Sequence, residues 1–414
     1  MGAHGLAAFN KTPGCAEFRA IPASEHGATI LAGRALWNDL FEGRPDTFDS
    51  VACDSSQSAS ITFTSGTTGA PKGAEHTHGS EYFIALAVRH EHDMKPGEIV
   101  LAPVPLFSSY RFSVLHTTCL TRSTLVILPR FDPVETWRAI QREKVEVMYA
   151  VSTMLHRMRD AIEAAGVNLE AIARHWRLCV SGSTPLLPDV HRFFNQALGV
   201  KIHVPYGATE VMLATILSEP VPLEACSIGK PVEHVLVRIV DDAMKEVPQG
   251  GIGEIVVRSA MRMKGYFNDP ETTRHSFSGD WFHTGDLGYE DAEGTFHLAG
   301  RIKEMINRNG FKVYPLHVEK VLSAHPAVAL AAVVGIPDVS VGEEVKAYVV
   351  LKPGAACSKE ELTAWTKERV AAYAYPRIVE FRDSLPLARY GTVVKHLLRA
   401  SSPGAVAETP APEN

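Results

Sequence analysis

At 414 residues the chain is long enough for about two or three domains with a substantial core. Its formal charge of −6 argues against a nucleic-acid binder, which would carry a basic excess, and no apolar run reaches the length of a membrane span. Six cysteines are scattered without a C-x-x-C pair, and Met1 to Pro13 lacks the basic-then-apolar order of a secretory signal, so the expectation is a reduced, cytoplasmic protein.

Residues 1 to about 58 carry turn signals and one amphipathic segment, Ala35 to Phe41. A short β-like run follows, Ser60 to Phe63. From there to about 220, β-rich runs alternate with helix-like ones. Ile99–Ala102, Thr124–Leu128, Leu178–Ser181 and Ile202–Val204 read as strands; Pro133–Glu143, Met154–Ala165 and Pro188–Leu198 read as helices. This alternation predicts an α/β sheet with largely parallel strands. From about 232, short runs with glycine turns, Val235–Val240 and Gly253–Val257, predict a small β subdomain. After Gly300 comes an α+β region ending near Arg399, and 401–414 is a Pro/Ala/Glu-rich tail expected to be disordered.

The densest chemical signal is Thr64-Ser65-Gly66-Thr67-Thr68-Gly69-Ala70-Pro71-Lys72-Gly73. Glycines let a backbone turn tightly and bring its N–H groups against phosphate oxygens. The hydroxyls add donors, and Lys72 adds a mobile cation suited to a polyphosphate. The order differs from the ordinary P-loop, in which the lysine directly follows a glycine.

This run resembles the phosphate-binding signature of the superfamily of acyl- and aryl-CoA synthetases, adenylation domains and firefly luciferase. Further motifs follow in that family's order. Pro205 to Glu210 (PYGATE) is similar to its second nucleotide motif and Trp281 to Gly288 (WFHTGDLG) to its third. Gly300 to Ile306 begins the fourth, which runs through Asn309 to Pro315 and on to Glu319. Gly182-Ser183-Thr184-Pro185 and Met263 to Phe267 are lesser matches. The resemblance implies a large N-terminal AMP-binding domain over 1–299, of α/β subdomains plus a small β subdomain, and a mobile α+β C-terminal domain over 300–400. Lys303 falls where the family hinges. Relatives carry a longer stretch ahead of the first signature than the 63 residues here, so the first subdomain is expected to be shortened.

By resemblance the residues take these roles. Thr64, Ser65, Gly66, Thr67, Thr68, Gly69 and Lys72 contact the β- and γ-phosphates of ATP. Glu210 binds Mg²⁺, a hard cation preferring oxygen, with Thr209 on the α-phosphate. Tyr206 packs on adenine, helped by Gly207, Ala208 and the Gly182-Ser183-Thr184 backbone. Asp286 accepts the ribose hydroxyls, and Arg301 donates to the same sugar or the phosphate. Judged alone, Asp286 would be a turn former, Tyr206 a half-buried core ring, Arg301 a solvated charge and Glu210 the opening of a helix. His203 and His283 are read as structural, since neither has metal-ligand spacing.

One departure stands near the C-terminus. Relatives carry Leu-Pro-x-x-x-x-Gly-Lys, whose lysine stabilises the charged transition state of adenylation. Here the run is Leu385-Pro386-Leu387-Ala388-Arg389-Tyr390-Gly391-Thr392, so Thr392 holds the lysine position. Losing one such electrostatic donor costs roughly a hundred- to a thousandfold in rate. Arg389 or Lys395 would need a register shift to substitute. Three readings stay open: an AMP-forming acid:CoA ligase; a ligase that only makes the thioester, from acyl-AMP supplied by an upstream adenylating enzyme; and a nonenzymatic nucleotide- or acyl-binding relative.

Members acting on amino acids carry an Asp after Pro-Leu-Phe to pair with the ammonium. Here Pro105-Leu106-Phe107 is followed by Ser108, Ser109 and Tyr110, which implies an acid without an α-amino group. The pocket by resemblance draws on Tyr110, Arg111, Phe112, Ser152, Met154, Ser181, Gly182, Val211 and Met212. No carrier-attachment motif such as Gly-Gly-x-Ser closes the chain, so free CoA or a separate carrier protein is the expected acceptor. Arg308, Lys312 and Arg377 are candidate partners for the acidic nucleotide of CoA.

Overall fold

The structure, a computed structural model, describes residues 43, 45, 47, 49–64, 71–104, 109–128, 130–182, 188–218, 226–387 and 393–400, the side chains of 109, 111, 112, 188, 189 and 400 excepted. Ala35 to Phe41, Ser65, Gly66, Thr67, Thr68, Gly69, Ser183, Thr184, Arg389, Thr392 and the tail 401–414 therefore lie outside the described residues, as does the expected shortening of the first subdomain. From Asp54 onward the chain forms one unit.

Strands β1 (Ser58–Phe63) and β2 (Gly73–Thr77) pair antiparallel, so the phosphate-loop sequence connects the two arms of a hairpin. Thr77 then caps helix α1 (His78–Glu91). Its hydroxyl accepts the Ser80 N–H while the Ser80 hydroxyl accepts the Thr77 N–H, which satisfies two otherwise orphaned donors. Strands and helices alternate from there: β3 (Ile99–Leu101), α2 (Ser109–Thr121), β4 (Thr124–Val126), α3 (Pro133–Glu143), β5 (Val147–Val151), α4 (Ser152–Asp160), α5 (Ile162–Ala165), α6 (Leu169–Ala173), β6 (Leu178–Gly182), α7 (Pro188–Arg192) and β7 (Lys201–Tyr206). The order β4-β3-β5-β6-β7 is parallel throughout, as the alternation predicts.

Three local features depart from the sequence reading. Strand β5, Val-Met-Tyr-Ala-Val, is buried at every position and so lacks the polar alternation that marks a half-exposed strand. The helix expected over Met154–Ala165 starts earlier, at Ser152, and breaks at Ala161, whose φ of −98° and ψ of 7° leave the helical region. The helix expected over Pro188–Leu198 widens into a π turn at Phe193–Ala197. That turn seats Phe194 against two fully buried indoles, Trp137 and Trp176, with ring centroids 5.7–6.0 Å apart. Each indole N–H is satisfied by a carbonyl, Met158 at 2.7 Å and Leu178 at 3.0 Å, so burial carries no polar penalty.

Beyond β7 the sheet turns antiparallel. Strands β8 (Thr215–Leu217), β9 (Ser227–Pro231), β10 (Leu236–Val240) and β11 (Gly253–Arg258) precede β12 (Gly265–Tyr266), helix α8 (Pro270–His275), β13 (Phe277–Ser278), β14 (Trp281–Glu290) and β15 (Phe296–Arg301). The sheet reads β10-β11-β14-β15-β9-β8-β7 and on into the parallel part, while β12 leaves it to pair with β2. Met263 to Phe267 is thereby drawn to the phosphate-loop hairpin.

Gly300, with φ +149°, adopts a backbone that favours glycine and leads into a single turn at Ile302–Glu304. The small C-terminal domain follows: β16 (Ile306–Arg308), β17 (Phe311–Val313), α9 (Pro315–Ser323), β18 (Val328–Asp338), β19 (Gly342–Leu351), α10 (Lys359–Lys367), β20 (Ile378–Phe381) and α11 (Lys395–Ala400). Its sheet runs β17-β16-β19-β18, with β20 parallel to β19.

Helix α11 returns to the turn after β15. Lys395 Nζ lies 2.6 Å from Glu304 and 2.8 Å from Glu319, and Arg399 donates to the carbonyls of Lys303 and Glu304. Glu319 also accepts the Val333 N–H at 2.7 Å. Burial pushes the Glu319 carboxyl above its ordinary range against the pull of Lys395. The Lys395 ammonium is itself raised, because the two carboxylates outweigh the burial that would lower it. Lys395 is thus committed to two carboxylates within the small domain and the turn before it. Replacing it by Met should lower stability by about 3 kcal/mol, the low end for breaking a buried pair, and Lys395→Arg should recover most of that. Denaturant unfolding of the three proteins measures this; equal midpoints would mean the pair is energetically idle.

Candidate functional site

The first loop is closed at its neck. The Thr64 N–H donates to the Lys72 carbonyl at 2.8 Å, and the Lys72 N–H donates to the Thr64 hydroxyl at 3.2 Å. Thr64 therefore serves the loop's shape, and its O–H remains able to donate to a ligand. The Lys72 ammonium lies 4.6 Å from the centre of the Tyr266 ring.

The second motif forms the connection between antiparallel β7 and β8, in which Tyr206 pairs with Thr215. The chain reverses by stacking turns: Val211 and Met212 both donate to the Ala208 carbonyl, and Ala214 donates to that of Tyr206. A Cβ on Gly207 would sit 2.0 Å from the Met212 carbonyl oxygen, so only glycine fits. Met212 itself takes φ +60°, a left-handed conformation unusual for its type. Buried His76 on β2 fixes this turn by donating from Nε2 to the Thr209 carbonyl at 2.8 Å. The Glu210 carbonyl accepts the Met263 N–H, and its carboxylate accepts the Tyr266 hydroxyl at 2.7 Å through Oε1. Oε2 is left for a hard cation that takes its remaining ligands from phosphate and water, which is the manner of Mg²⁺.

The third motif presents Asp286 on a bulge. Between the β11–β14 pairs Val256↔His283 and Glu254↔Leu287, three residues of β14 face one of β11. Gly285 takes φ +71° there, and its N–H donates to Glu254 Oε1 at 3.0 Å. The other oxygen of Glu254 accepts His283 Nδ1 at 2.8 Å, and the far side of that ring meets the Ser278 hydroxyl at 2.8 Å. This accounts for the structural part given to His283. Asp286, so aimed, accepts the Tyr206 hydroxyl at 2.8 Å and faces Arg301 Nε at 3.3 Å across the β14–β15 pair. Burial pushes its carboxyl above the ordinary aspartate range, against the opposing pull of Arg301 and the hydrogen bond from Tyr206.

Residues expected around an acid pocket gather in part. Tyr110, Met154 and Met212 pack against the same apolar cluster as Tyr206 and Ala208, and Val211 is buried within it. The Tyr110 ring lies 3.3 Å from where a Cβ on Gly182 would stand, and its hydroxyl donates to the Val180 carbonyl. Ser152 is buried at the start of α4, and Ser181 is buried on β6, its hydroxyl without a partner among the described residues. Arg111 and Phe112 lie in α2, their side chains outside the described residues. Lys303 is exposed on the turn after β15. Two of the three candidate cations for CoA are engaged elsewhere. Arg308 forms a two-pronged pair with Glu344 at 2.7 and 2.9 Å, and Arg377 donates to the Tyr375 and Ala372 carbonyls.

Outside this cleft, half-buried His203 and buried His92 face each other with ring centres 5.5 Å apart. Burial lowers them to about 4 and about 3, so both rings are neutral near pH 7. Among the described residues His325, Cys357 and Glu361 bring metal-ligating atoms within 4.8 Å of one another. However, His325 Nδ1 accepts the Ala327 N–H, so its proton sits on Nε2, the atom facing the other two. That is a hydrogen-bonded contact and leaves no lone pair for a metal. A cavity of about 720 Å³ beside α1, lined by Phe83, His90, Met94, Glu233 and Met261, touches none of the described motif residues.

The sequence reading missed His76, Glu254 and Tyr266. Tyr266 was part of a quoted motif but had no role there, and a lone His or Glu on a strand carries no legible signal. Since the Asp286 pKa is raised, its ionised form opposes folding at neutral pH. Asp286→Asn should therefore leave Tm unchanged or higher. It should weaken nucleotide affinity about tenfold or more, since hydrogen bonds to a charged group contribute about 1.5–3 kcal/mol. As pH falls, wild-type affinity should decline from above the ordinary aspartate range, and the variant should lose that dependence. Calorimetric titration with AMP across pH measures both effects.

The chain as a whole is similar to known proteins. The sequence matches the family described as AMP-binding enzyme over residues 12–267 and the AMP-binding enzyme C-terminal domain over 317–392. It is 35% identical over 350 residues to a long-chain-fatty-acid–CoA ligase of Bacillus subtilis, covering 82% of this chain and 61% of that protein. It is 34% identical over 343 residues to a feruloyl-CoA synthase of Amycolatopsis, covering 82% and 69%. ATP-bound MatB from Rhodopseudomonas palustris superposes with a TM-score of 0.82 at 29% identity, covering 92% of this chain and 78% of that one. The o-succinylbenzoate CoA synthetase of Bacillus subtilis, solved with its acyl-adenylate, gives 0.78 at 29% identity over the same shares. This chain belongs to the AMP-binding enzyme family, the adenylate-forming superfamily of the acyl-CoA synthetases.

Proposed function

We propose that the protein is an AMP-forming carboxylic acid:CoA ligase, acting in the cytoplasm on an acid without an α-amino group. The observation that carries this reading is the run of contacts from Lys72 through Tyr266 to Glu210, and from Tyr206 to Asp286 and Arg301. It offers a cation and a hard-ligand carboxylate at one end and a ribose-sized acceptor beside an aromatic face at the other. The relatives named for CoA ligation support the acceptor.

In this reading Lys72 and the hydroxyls of Thr64, Ser65, Thr67 and Thr68 hold the β- and γ-phosphates. Tyr206 packs on adenine, flanked by Gly182 to Thr184, and Asp286 and Arg301 hold the ribose. Mg²⁺, bound at Glu210, would neutralise phosphate charge. Thr209 orients the α-phosphate while a substrate carboxylate oxygen attacks its phosphorus and pyrophosphate leaves. The CoA thiol, its proton lost, then attacks the acyl carbonyl and AMP departs. The domain over 300–400 turns about Gly300 to Lys303 between the two steps.

A second reading is favoured by Thr392 at the lysine position together with the engagement of Lys395 by Glu304 and Glu319. On it, the protein makes only the thioester, from an acyl-adenylate supplied by an upstream enzyme. Purified protein with CoA is incubated either with synthetic acyl-adenylates or with a panel of acids plus MgATP. Thioester from both routes is expected. Product from the adenylate alone would move the assignment to the second reading, and product from neither would sink both.

A further inference from the structure

Lys72 and Glu210 carry opposite charges and need them for different ligands, phosphate for one and a divalent cation for the other. Two such side chains close together would ordinarily collapse into an ion pair, cancelling both. No ion pair forms between them here, and Tyr266 stands between. Its hydroxyl donates to Glu210 Oε1 at 2.7 Å, and its ring supports the Lys72 ammonium at 4.6 Å. A phenol suits this place because its edge is a neutral hydrogen-bond donor and its face attracts a cation. Neither contact neutralises the charge it touches.

The ring is held firmly enough to set a spacing. Tyr266 is 7% exposed and pairs with Ala74 across β12 and β2, two residues beyond Lys72. Its N–H donates to the Thr273 hydroxyl at 2.8 Å, and that same hydroxyl donates to the Asp269 carbonyl. A Cβ on neighbouring Gly265 would stand 2.9 Å from the Thr273 methyl, so helix α8 presses directly on the strand. The segment also grips the backbone of Glu210, through the Met263 N–H at 2.6 Å.

Resting on the nucleotide-site reading above, we infer that Tyr266 is a positioning residue that holds Glu210 ready for Mg²⁺ and keeps Lys72 apart from it for phosphate. The two contacts are separable by mutation. Tyr266→Phe keeps the ring and removes the hydroxyl; Tyr266→Leu removes both.

The test is calorimetric titration of the full chain with ATP, with Mg²⁺ and in EDTA, for wild type, Y266F, Y266L and E210Q. Tm is recorded for each. Wild type should bind more tightly with Mg²⁺, and E210Q should lose that increment. Y266F should weaken MgATP binding about tenfold, as expected for one hydrogen bond to a charged group, while binding in EDTA stays within about twofold. Y266L should weaken both. Y266F binding MgATP as wild type does would overturn the inference. So would an equal loss with and without Mg²⁺ accompanied by a fallen Tm, which marks a packing role. If wild type binds no MgATP, the nucleotide-site reading fails and takes this inference with it.

Discussion

A carboxylate held by a tyrosine hydroxyl occurs twice in this cleft, Tyr206 on Asp286 and Tyr266 on Glu210, and the other arrangements follow from bringing those two hydroxyls to those two carboxylates. A lysine or arginine in full contact would hold each more strongly but would consume the charge. A neutral donor costs less desolvation and leaves an oxygen facing the ligand. The guanidinium of Arg301 at 3.3 Å from Asp286 tempers this, and the carboxyl stays raised because burial outweighs it.

Each hydroxyl must be delivered by backbone from a different part of the chain. Tyr206 comes from the end of β7, where the parallel part of the sheet meets the antiparallel part. Asp286 reaches it because a bulge on β14 turns the carboxylate inward, and Glu254 stabilises that bulge from the adjacent strand. Tyr266 arrives because β12 leaves its neighbours and pairs with β2. In this chain the motifs are far apart in sequence, and each supplies one such delivery.

How far this was legible depended on whether a residue's job is local. Gly207 entered the reading only through the motif it sits in, although its requirement is set just a few residues away, at the Met212 carbonyl. The Pro133–Glu143 helix was equally local, with Asp132 capping it and proline at its first position. Strand β5 was not, since uniform burial erases the periodicity that would announce it. His76, Glu254 and Tyr266 act on residues 29 to 194 positions away, and no spacing rule reaches so far. Composition likewise named Arg308 and Arg377 as candidate cations, but their fork-like donors are satisfied by Glu344 and by carbonyls.

The burial of Trp137 and Trp176 has an optical consequence. Both indoles lie in a dry apolar layer of the large domain and should emit at short wavelength. Trp365 in the small domain is half-buried, edge-on to His325 at 5.0 Å and beneath the guanidinium of Arg369 at 3.6 Å. Its emission is therefore open to quenching by cationic neighbours. Trp281 on β14 likewise lies half-buried under a guanidinium, that of Arg238 at 4.5 Å. With Trp281 replaced by Phe, Trp365 is the half-buried indole among the described residues, and the unfolding of the small domain can be followed without attaching any dye.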